Sequence, residues 1–259
     1  MKKPSSIVVL PFRLKSERLP EKILEDIGGI PLMIRAIKAT SSALLETQVL
    51  LVAVDSERSA EQIKKHGMNV EVIMTQPSCP SGTDRVFKAV QSYTKTHGLD
   101  TSHLKVINVQ GDMPFVNSDV LRSFFETVEK NKTESYFTLA CPWPTALDRS
   151  DISKVKCILN AQQHALYFSR SPIPHQADST SKTLSLLHIG AYAYKYEFLE
   201  RFCNLAPSPL ELSEKLEQLR ALENGFKLWV KVDQDLNPDE FHGIDTAADL
   251  QWARNRIED

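Results

Sequence analysis

The sequence predicts an α/β protein whose first half is a mostly parallel sheet with helical crossovers and whose second half adds antiparallel strands. Three observations carry this. Apolar runs at Ile7-Val8-Val9-Leu10, Val49 to Val54 and Val106 to Val109 lack polar alternation, as strands covered on both faces do. Helical patterns of about ten to fifteen residues separate such runs, which is the spacing of βαβ units with right-handed crossovers. Beyond Tyr136 the strand-like runs continue with fewer helices between them.

The first strand, Ile7 to Leu10, leads into a proline-bounded turn carrying Arg13, Lys15, Arg18 and Lys22. Residues 31–45 place Leu32, Met33, Ile37 and Leu44 on one helical face, and Pro31 opens the helix where its missing N–H costs nothing. A strand at 49–55 follows, then a helix at 56–66 closed by Gly67, a strand at 70–74, and a helix at 82–93. The fourth strand is 106–110 and a helix at 118–129 comes after it. Residues 136–141, 154–159, 165–169, 187–194 and 228–232 read as further strands, with a polar loop at 176–182. The strongest helical pattern is 211–223, and 247–257 closes the chain. With no repeat, low-complexity stretch or linker, residues 1–259 are expected to form a single domain, with about 160–205 an elaboration of the same sheet.

At 259 residues and 42% hydrophobic, the chain is long enough for a full core. No apolar stretch approaches the roughly 20 residues that cross a bilayer. The apolar run before Pro11 is too short for a signal peptide, so a cytoplasmic protein without membrane insertion is expected. Cys79, Cys141, Cys157 and Cys203 form no CxxC pair, which indicates neither a zinc site nor a disulfide framework. A net charge of −2 argues against a nucleic-acid partner, so any anion site is local.

Four constellations can carry chemistry. Ligands of open α/β sheets bind outside the carboxyl ends of the strands, so the cations after the first strand suit a nucleoside triphosphate, or form a solvated basic loop. In Asn108-Val109-Gln110-Gly111-Asp112, the glycine permits close backbone approach and Asp112 either holds Mg²⁺ on a triphosphate or caps the next loop. A second carboxylate, Asp245 of Gly243-Ile244-Asp245-Thr246, precedes the last helix, where it or Thr246 can be the N-cap. Ser81-Gly82-Thr83-Asp84-Arg85 opens a helix whose free N–H groups favour an anion or a nucleobase edge, with Ser81 or Thr83 as simple caps in the alternative.

The run Leu10-Pro11-x-Arg13-x-x-Ser16-x-Arg18-x-Pro20-x-Lys22, with Ser81 to Arg85 and Gln110-Gly111-Asp112, resembles the sugar-activating cytidylyltransferases, most closely the CMP-Kdo synthetase family (Kdo is 3-deoxy-manno-octulosonate). Similarity continues through Lys154-Val155-Lys156, Ala165 to Pro174, His188-Ile189-Gly190-Ala191-Tyr192 and Pro207 to Arg220, and so runs from about Ile7 to about Arg254. The resemblance implies a Rossmann-like nucleotide-diphospho-sugar transferase sheet. It implies transfer of CMP from CTP to Kdo for lipopolysaccharide, with Mg²⁺ as cofactor, in a homodimer that uses residues 160–205 for dimerisation and acceptor binding. By the same resemblance Arg13, Lys22 and Asp112 are catalytic, and Asp112 and Asp245 hold the metal. Leu10, Arg13, Ser16, Arg18, Lys22, Ser81, Gly82, Arg85 and Gln110 would contact CTP. Arg170, His188, Glu217 and Gln218 would face the acid sugar, where a guanidinium grips a carboxylate and Glu and Gln meet hydroxyls. Taken without the resemblance, Tyr167, Phe168 and Tyr192 read as core aromatics and Arg220 as a salt-bridge partner on a helix.

Three positions depart from the family pattern: Phe12 stands where the family has Ala, Glu21 where it has Gly, and Met113 where it has Glu. A carboxylate about 4 Å from a phosphate costs about 4 kcal/mol at an effective dielectric of 20, so Glu21 is expected to point away from the nucleotide. Two rivals remain: a cytidylyltransferase for another acid sugar such as sialic acid or an amino-Kdo, and a weakly active nucleotide-binding paralogue, which the three departures motivate.

Overall fold

Side-chain alternation along the first strand sets the architecture. Val8 and Leu10 point into one fully buried core and Ile7 and Val9 into another, so this strand is covered on both faces. The structure is a computed structural model that describes residues 4–16, 18–175 and 185–258. In chain order its first half runs β1 (Ser6–Pro11), β2 (Asp26–Ile27), β3 (Ile30–Pro31), α1 (Leu32–Ala43), β4 (Gln48–Val54), α2 (Glu57–Lys65), β5 (Glu71–Met74), α3 (Gly82–Thr96), β6 (Lys105–Val109) and α4 (Ser118–Lys130). The second half runs β7 (Tyr136–Pro142), β8 (Lys156–Leu159), β9 (Ala165–Ser169), β10 (Leu186–Lys195), α5 (Tyr196–Cys203), α6 (Pro209–Glu214), α7 (Gln218–Glu223), β11 (Trp229–Val232) and α8 (Ala247–Glu258).

The main sheet has the order β11-β7-β10-β6-β1-β4-β5. β1 pairs in parallel with β4 and β6, and β4 with β5, as the βαβ spacing predicts. The second half adds β10 antiparallel to β6 and β7, and β8 antiparallel to β10 and β9, while β11 returns parallel to β7. The predicted α/β class, mostly parallel with antiparallel additions, is the one observed. One core packs Ile34, Ile37, Leu121 and Phe124 of α1 and α4 on one face. The other packs Val86, Val90, Phe198 and Phe202 of α3 and α5 on the opposite face. Among the described residues no helix is long and apolar enough to cross a membrane.

Helix starts follow local chemistry. The Ser56 and Ser81 hydroxyls accept from the backbone N–H groups of Ser59 and Asp84, and the Asn117 side chain caps α4. Pro31 is not inside the first turn of α1, because it closes a short β2–β3 hairpin and serves as the N-cap. The predicted helix over 211–223 is two helices. α6 starts with a Ser208–Glu211 capping box and ends at Lys215, whose φ of 55° is left-handed, and α7 starts afresh at Gln218. Arg220 holds the two together through Glu211, Nη2 to Oε1 at 2.6 Å and Nε to Oε2 at 2.8 Å. That break brings Glu217 and Gln218 to the head of α7. Helix α5 and the hairpin were not predicted, the strand expected from 154 begins at Lys156, and the polar loop at 176–182 lies outside the described residues.

Candidate active site

A cleft of about 950 Å³ opens at the carboxyl ends of β1 and β6 and beside the N-terminus of α3. This is where an open α/β sheet binds ligands. Its floor is built from the ends of strands, which fix the side chains that follow them. Backbone N–H of Ile244 donates to Asp112 O at 2.9 Å, so the segment before α8 is tied to the loop after β6. Two carboxylates far apart in sequence thereby converge. Lys22 Nζ donates to Asp112 Oδ2 and Asp245 Oδ1, each at 2.8 Å, and Arg18 Nη2 reaches Asp245 Oδ2 at 2.8 Å.

Lys22 is only 7% exposed. Burial pushes its pKa down, but Asp112 and Asp245 outweigh burial and the net shift is upward. Asp112 Oδ1 is buried and accepts no hydrogen bond. Asp245 does not cap α8: the Thr246 hydroxyl accepts from the backbone N–H of Asp249 at 3.2 Å, which leaves the Asp245 carboxylate to the cleft. Burial works to raise the Asp249 carboxyl, yet donors from His242, Thr246 and the Asp245 and Thr246 amides hold it at about 2. Two hard carboxylates with an unpartnered buried oxygen fit Mg²⁺, which takes one or two carboxylates and fills its shell with water and phosphate oxygens.

The opposite wall is made by β10, α3 and α7. Thr83 Oγ1 donates to Glu217 Oε2, while Glu217 Oε1 is buried without a hydrogen bond and lies 3.6 Å from Arg220 Nη2. Burial raises the Glu217 pKa despite these partners. Tyr192 OH donates to Gln218 Oε1 at 3.3 Å, and Gln218 Nε2 is buried and unpartnered. Asn108 Oδ1, at the end of β6, is a further buried acceptor without a partner. The cleft therefore presents three unpartnered acceptor atoms and one donor, all on side chains that line it. An unpartnered buried polar atom costs about 1–3 kcal/mol, a cost that a hydroxyl- and amine-bearing ligand removes.

Most of the expected residues border this cleft: Arg13, Arg18, Lys22, Ser81, Gly82, Arg85, Gln110, Asp112, Arg170, His188, Glu217, Gln218 and Asp245. Two do not. The Leu10 side chain is fully buried in the core, because it takes the inward-facing alternate of β1. Ser16 lines a separate pocket of about 330 Å³ with Leu14, Lys15, Pro20 and Glu21. Besides Arg18, paired with Asp245, two more arginines are already engaged. Arg85 is pinned to Asp55 Oδ2 at 3.1 Å and to Thr75 Oγ1, and Asp55 Oδ1 also accepts from the Leu14 N–H at 2.9 Å, so this pair braces the basic loop. Arg170 donates from Nε to Glu214 O at 2.8 Å and from Nη1 to Ile152 O at 2.9 Å, bracing α6. Ser81 is the cap of α3.

The departures are accommodated locally. Glu21 points away from the cleft and Arg58 Nη1 donates to both its carboxylate oxygens at 2.7 Å. Its φ of 54° is the left-handed conformation that glycine adopts without strain, and glycine is the residue that the resemblance leads one to expect there. Phe12 is 2% exposed and packs against Gly111, and Met113 is buried in the same core. Residues the sequence reading passed over include Asn108 as an acceptor, Thr83 as the partner of Glu217, His242, and Gly190, where an added Cβ would sit 2.7 Å from Gln110 Nε2. A lone glycine inside a strand-like run was the available signal for the last.

The family profile described as "Cytidylyltransferase" matches residues 7–231. The 3-deoxy-manno-octulosonate cytidylyltransferase of Polynucleobacter asymbioticus is 37% identical, covering 99% of this chain and 97% of its own length. The enzyme of the same name from Chloroherpeton thalassium is 38% identical over 95% and 94% of the two chains. Among solved structures, a CMP:2-keto-3-deoxy-manno-octonic acid synthetase complexed with CTP superposes with a TM-score of 0.83 at 30% identity, covering 98% of each chain. The 4-diphosphocytidyl-2C-methyl-D-erythritol synthase of Anaerococcus prevotii, at 10% identity and a TM-score of 0.60 over 99% of this chain and 97% of its own, shares the fold.

Proposed function

Since the chain belongs to the CMP-Kdo synthetase family of cytidylyltransferases, we propose that it transfers CMP from CTP to Kdo, giving CMP-Kdo and pyrophosphate for lipopolysaccharide. The observation that carries the reading is the make-up of the cleft at the ends of β1 and β6: the Asp112–Lys22–Asp245 cluster on one wall and the unpartnered Glu217 and Gln218 atoms on the other. The first wall suits a triphosphate and the second a polyhydroxylated acid.

In the reaction the anomeric hydroxyl of Kdo attacks the α-phosphorus in line; the new bond joins that oxygen to CMP, the bond to the β-phosphate oxygen breaks, and the hydroxyl proton is released to water. Positioning and charge neutralisation are the protein's means, with no covalent intermediate. Arg13, Arg18 and Lys22 supply positive charge for the triphosphate and the departing pyrophosphate. Asp112 and Asp245 are the residues that would hold Mg²⁺, which when bound neutralises phosphate charge and lowers the pKa of the attacking hydroxyl. Glu217 Oε1 and Gln218 Nε2 take sugar hydroxyls, and the guanidinium of Arg170 borders the same wall. Homodimerisation through residues 160–205 belongs to the same proposal and is supported by Leu166 of β9, whose side chain is exposed. A cytoplasmic location belongs to the same proposal.

The test is pyrophosphate release from CTP, Mg²⁺ and Kdo, beside UTP, ATP and sialic acid. Release with CTP plus Kdo alone is the expected result. Release with CTP and a different acid sugar reassigns the acceptor, and CTP binding without release from any pair identifies an inactive paralogue.

A further inference from the structure

His188 lines the cleft from β10, and its ring is fixed on three sides. Phe168 meets it edge-on with centroids 5.0 Å apart, Tyr192 is tilted against it at 5.5 Å, and Nε2 lies 3.0 Å from Thr138 Oγ1. Thr138 sits on the neighbouring strand β7 and is fully buried. The pairing of β7 with β10 slips between Ile189 and Tyr192, beside the two residues Gly190 and Ala191. Such an irregularity re-aims backbone groups. Here the Ala191 carbonyl lies 2.8 Å from Thr138 Oγ1 and the Ile189 carbonyl 3.4 Å from it.

A threonine hydroxyl has one proton and two lone pairs, and a carbonyl oxygen only accepts. The short contact to Ala191 O therefore takes the Thr138 proton, and the Ile189 carbonyl competes for the same proton and no other. What remains for His188 Nε2 is a lone pair of Thr138, so Nε2 carries the hydrogen. Among the described residues nothing hydrogen-bonds Nδ1, and the ring, packed on Tyr192, borders the cleft that Glu217 and Gln218 also line. Burial also drives the ring's pKa down to about 3, which keeps it neutral and leaves one nitrogen as an acceptor.

We propose that Thr138 is a positioning residue for the acceptor sugar: its hydroxyl holds His188 as the Nε2–H tautomer, so that Nδ1 meets the cleft as an acceptor for a sugar hydroxyl. The inference rests on the proposed function for the identity of the sugar, and not for the tautomer. A threonine that merely satisfied its own hydroxyl at an irregular strand pair would account for the Ala191 contact. It would give no reason for the ring nitrogen of a cleft residue to share that hydroxyl. On this reading Gly190 and Ala191 also have a role, because the slipped register is what turns two carbonyls toward one hydroxyl.

The experiment is a long-range ¹H–¹⁵N correlation of the histidine rings at neutral pH, with the His188 signals assigned by their loss in His188→Gln. It is recorded for the wild type, Thr138→Val and Thr138→Ser, with KM measured for Kdo and for CTP. The wild type should show the Nε2–H pattern, Thr138→Val should lose it, and Thr138→Ser should restore it. KM for Kdo should rise about tenfold in Thr138→Val, the loss of one hydrogen bond, and return in Thr138→Ser, with KM for CTP little changed. An Nδ1–H pattern in the wild type overturns the proposal, as does a Thr138→Val protein with unchanged tautomer and unchanged KM for Kdo. If Thr138→Val does not fold, Thr138→Ala takes its place with the same expectations, and an Nδ1–H pattern in the wild type overturns the proposal in either case. Absence of turnover with Kdo in the wild type defeats the functional reading, whereas the ring spectra test the hold of Thr138 on His188 without substrate.

Discussion

Lys22 Nζ lies 2.8 Å from Asp112 Oδ2 and equally far from Asp245 Oδ1, so one buried ammonium joins carboxylates 90 and 223 residues away. The cluster couples the basic loop after β1 to both acidic segments of the cleft. Replacing Lys22 by Met keeps the length of the side chain and removes its charge. If Lys22 acts as a preorganised donor to the leaving group, turnover should fall by roughly 10²–10³. Pyrophosphate release at saturating CTP measures this, and a change of only a few-fold would remove Lys22 from the mechanism.

The same ammonium has a pH signature. Its pKa is raised on folding, so its contribution to stability is present below the ordinary value of 10.5 and is lost as pH rises through the folded value. His188 works in the opposite window. Its pKa falls on folding from 6.5 to about 3, so the unfolded chain binds more protons between those values and stability drops as pH falls from 6.5 toward 3. Urea midpoints of the wild type and of His188→Gln across that range should differ in slope by at most about one proton. Parallel profiles would show that burial does not hold this ring neutral.

The strands were readable because both-face burial leaves an uninterrupted apolar run, as at Val49 to Val54, and the helices because Ser56 and Ser81 cap them locally. The convergence of Asp112 and Asp245 came from resemblance, since nothing local to either residue reports the other. The break in 211–223 was not readable: every residue there suits a helix, and the left-handed Lys215 is set by tertiary bonds between Arg170 and the Glu214 carbonyl and between Arg220 and Glu211. Nor was the link from Thr138 to His188, which depends on a slipped register between two strands. Leu10 shows the converse limit, because a motif position can be fixed by the core under the site.

Glu21 isolates backbone strain from charge. Its left-handed φ costs a non-glycine residue about 1–2 kcal/mol, and its exposed pair with Arg58 returns at most about 1 kcal/mol. Glu21→Gly relieves the strain, loses the pair and adds unfolded-state entropy, so stability should stay within about 1 kcal/mol of the wild type. Glu21→Val puts a β-branched residue at positive φ without the ion pair and should lose about 1–2 kcal/mol. Denaturant midpoints of the two variants should therefore fall on different sides of that margin; equal losses would mean that the Arg58 pair, not the backbone, decides.

Phe12 and Gly111 form the last testable pair. A Cβ at Gly111 would lie 2.5 Å from Phe12 Cε1 and 2.9 Å from Pro11 O, closer than carbon atoms tolerate. Because Phe12 is almost fully buried, its ring has little room to retreat. Gly111→Ala should therefore destabilise by about 1–3 kcal/mol, as overpacked core positions do. In a Phe12→Ala background the ring contact is gone and only the Pro11 carbonyl remains, so the same substitution should cost less. The four proteins make a double-mutant cycle, and residues in direct contact give interaction energies of about 0.5–3 kcal/mol. A coupling within that range would explain how this chain carries Phe12 where the resemblance leads one to expect Ala: the ring rests on the glycine that its own bulk makes indispensable. Additive losses would instead place the strain at Pro11 and leave Phe12 independent of Gly111.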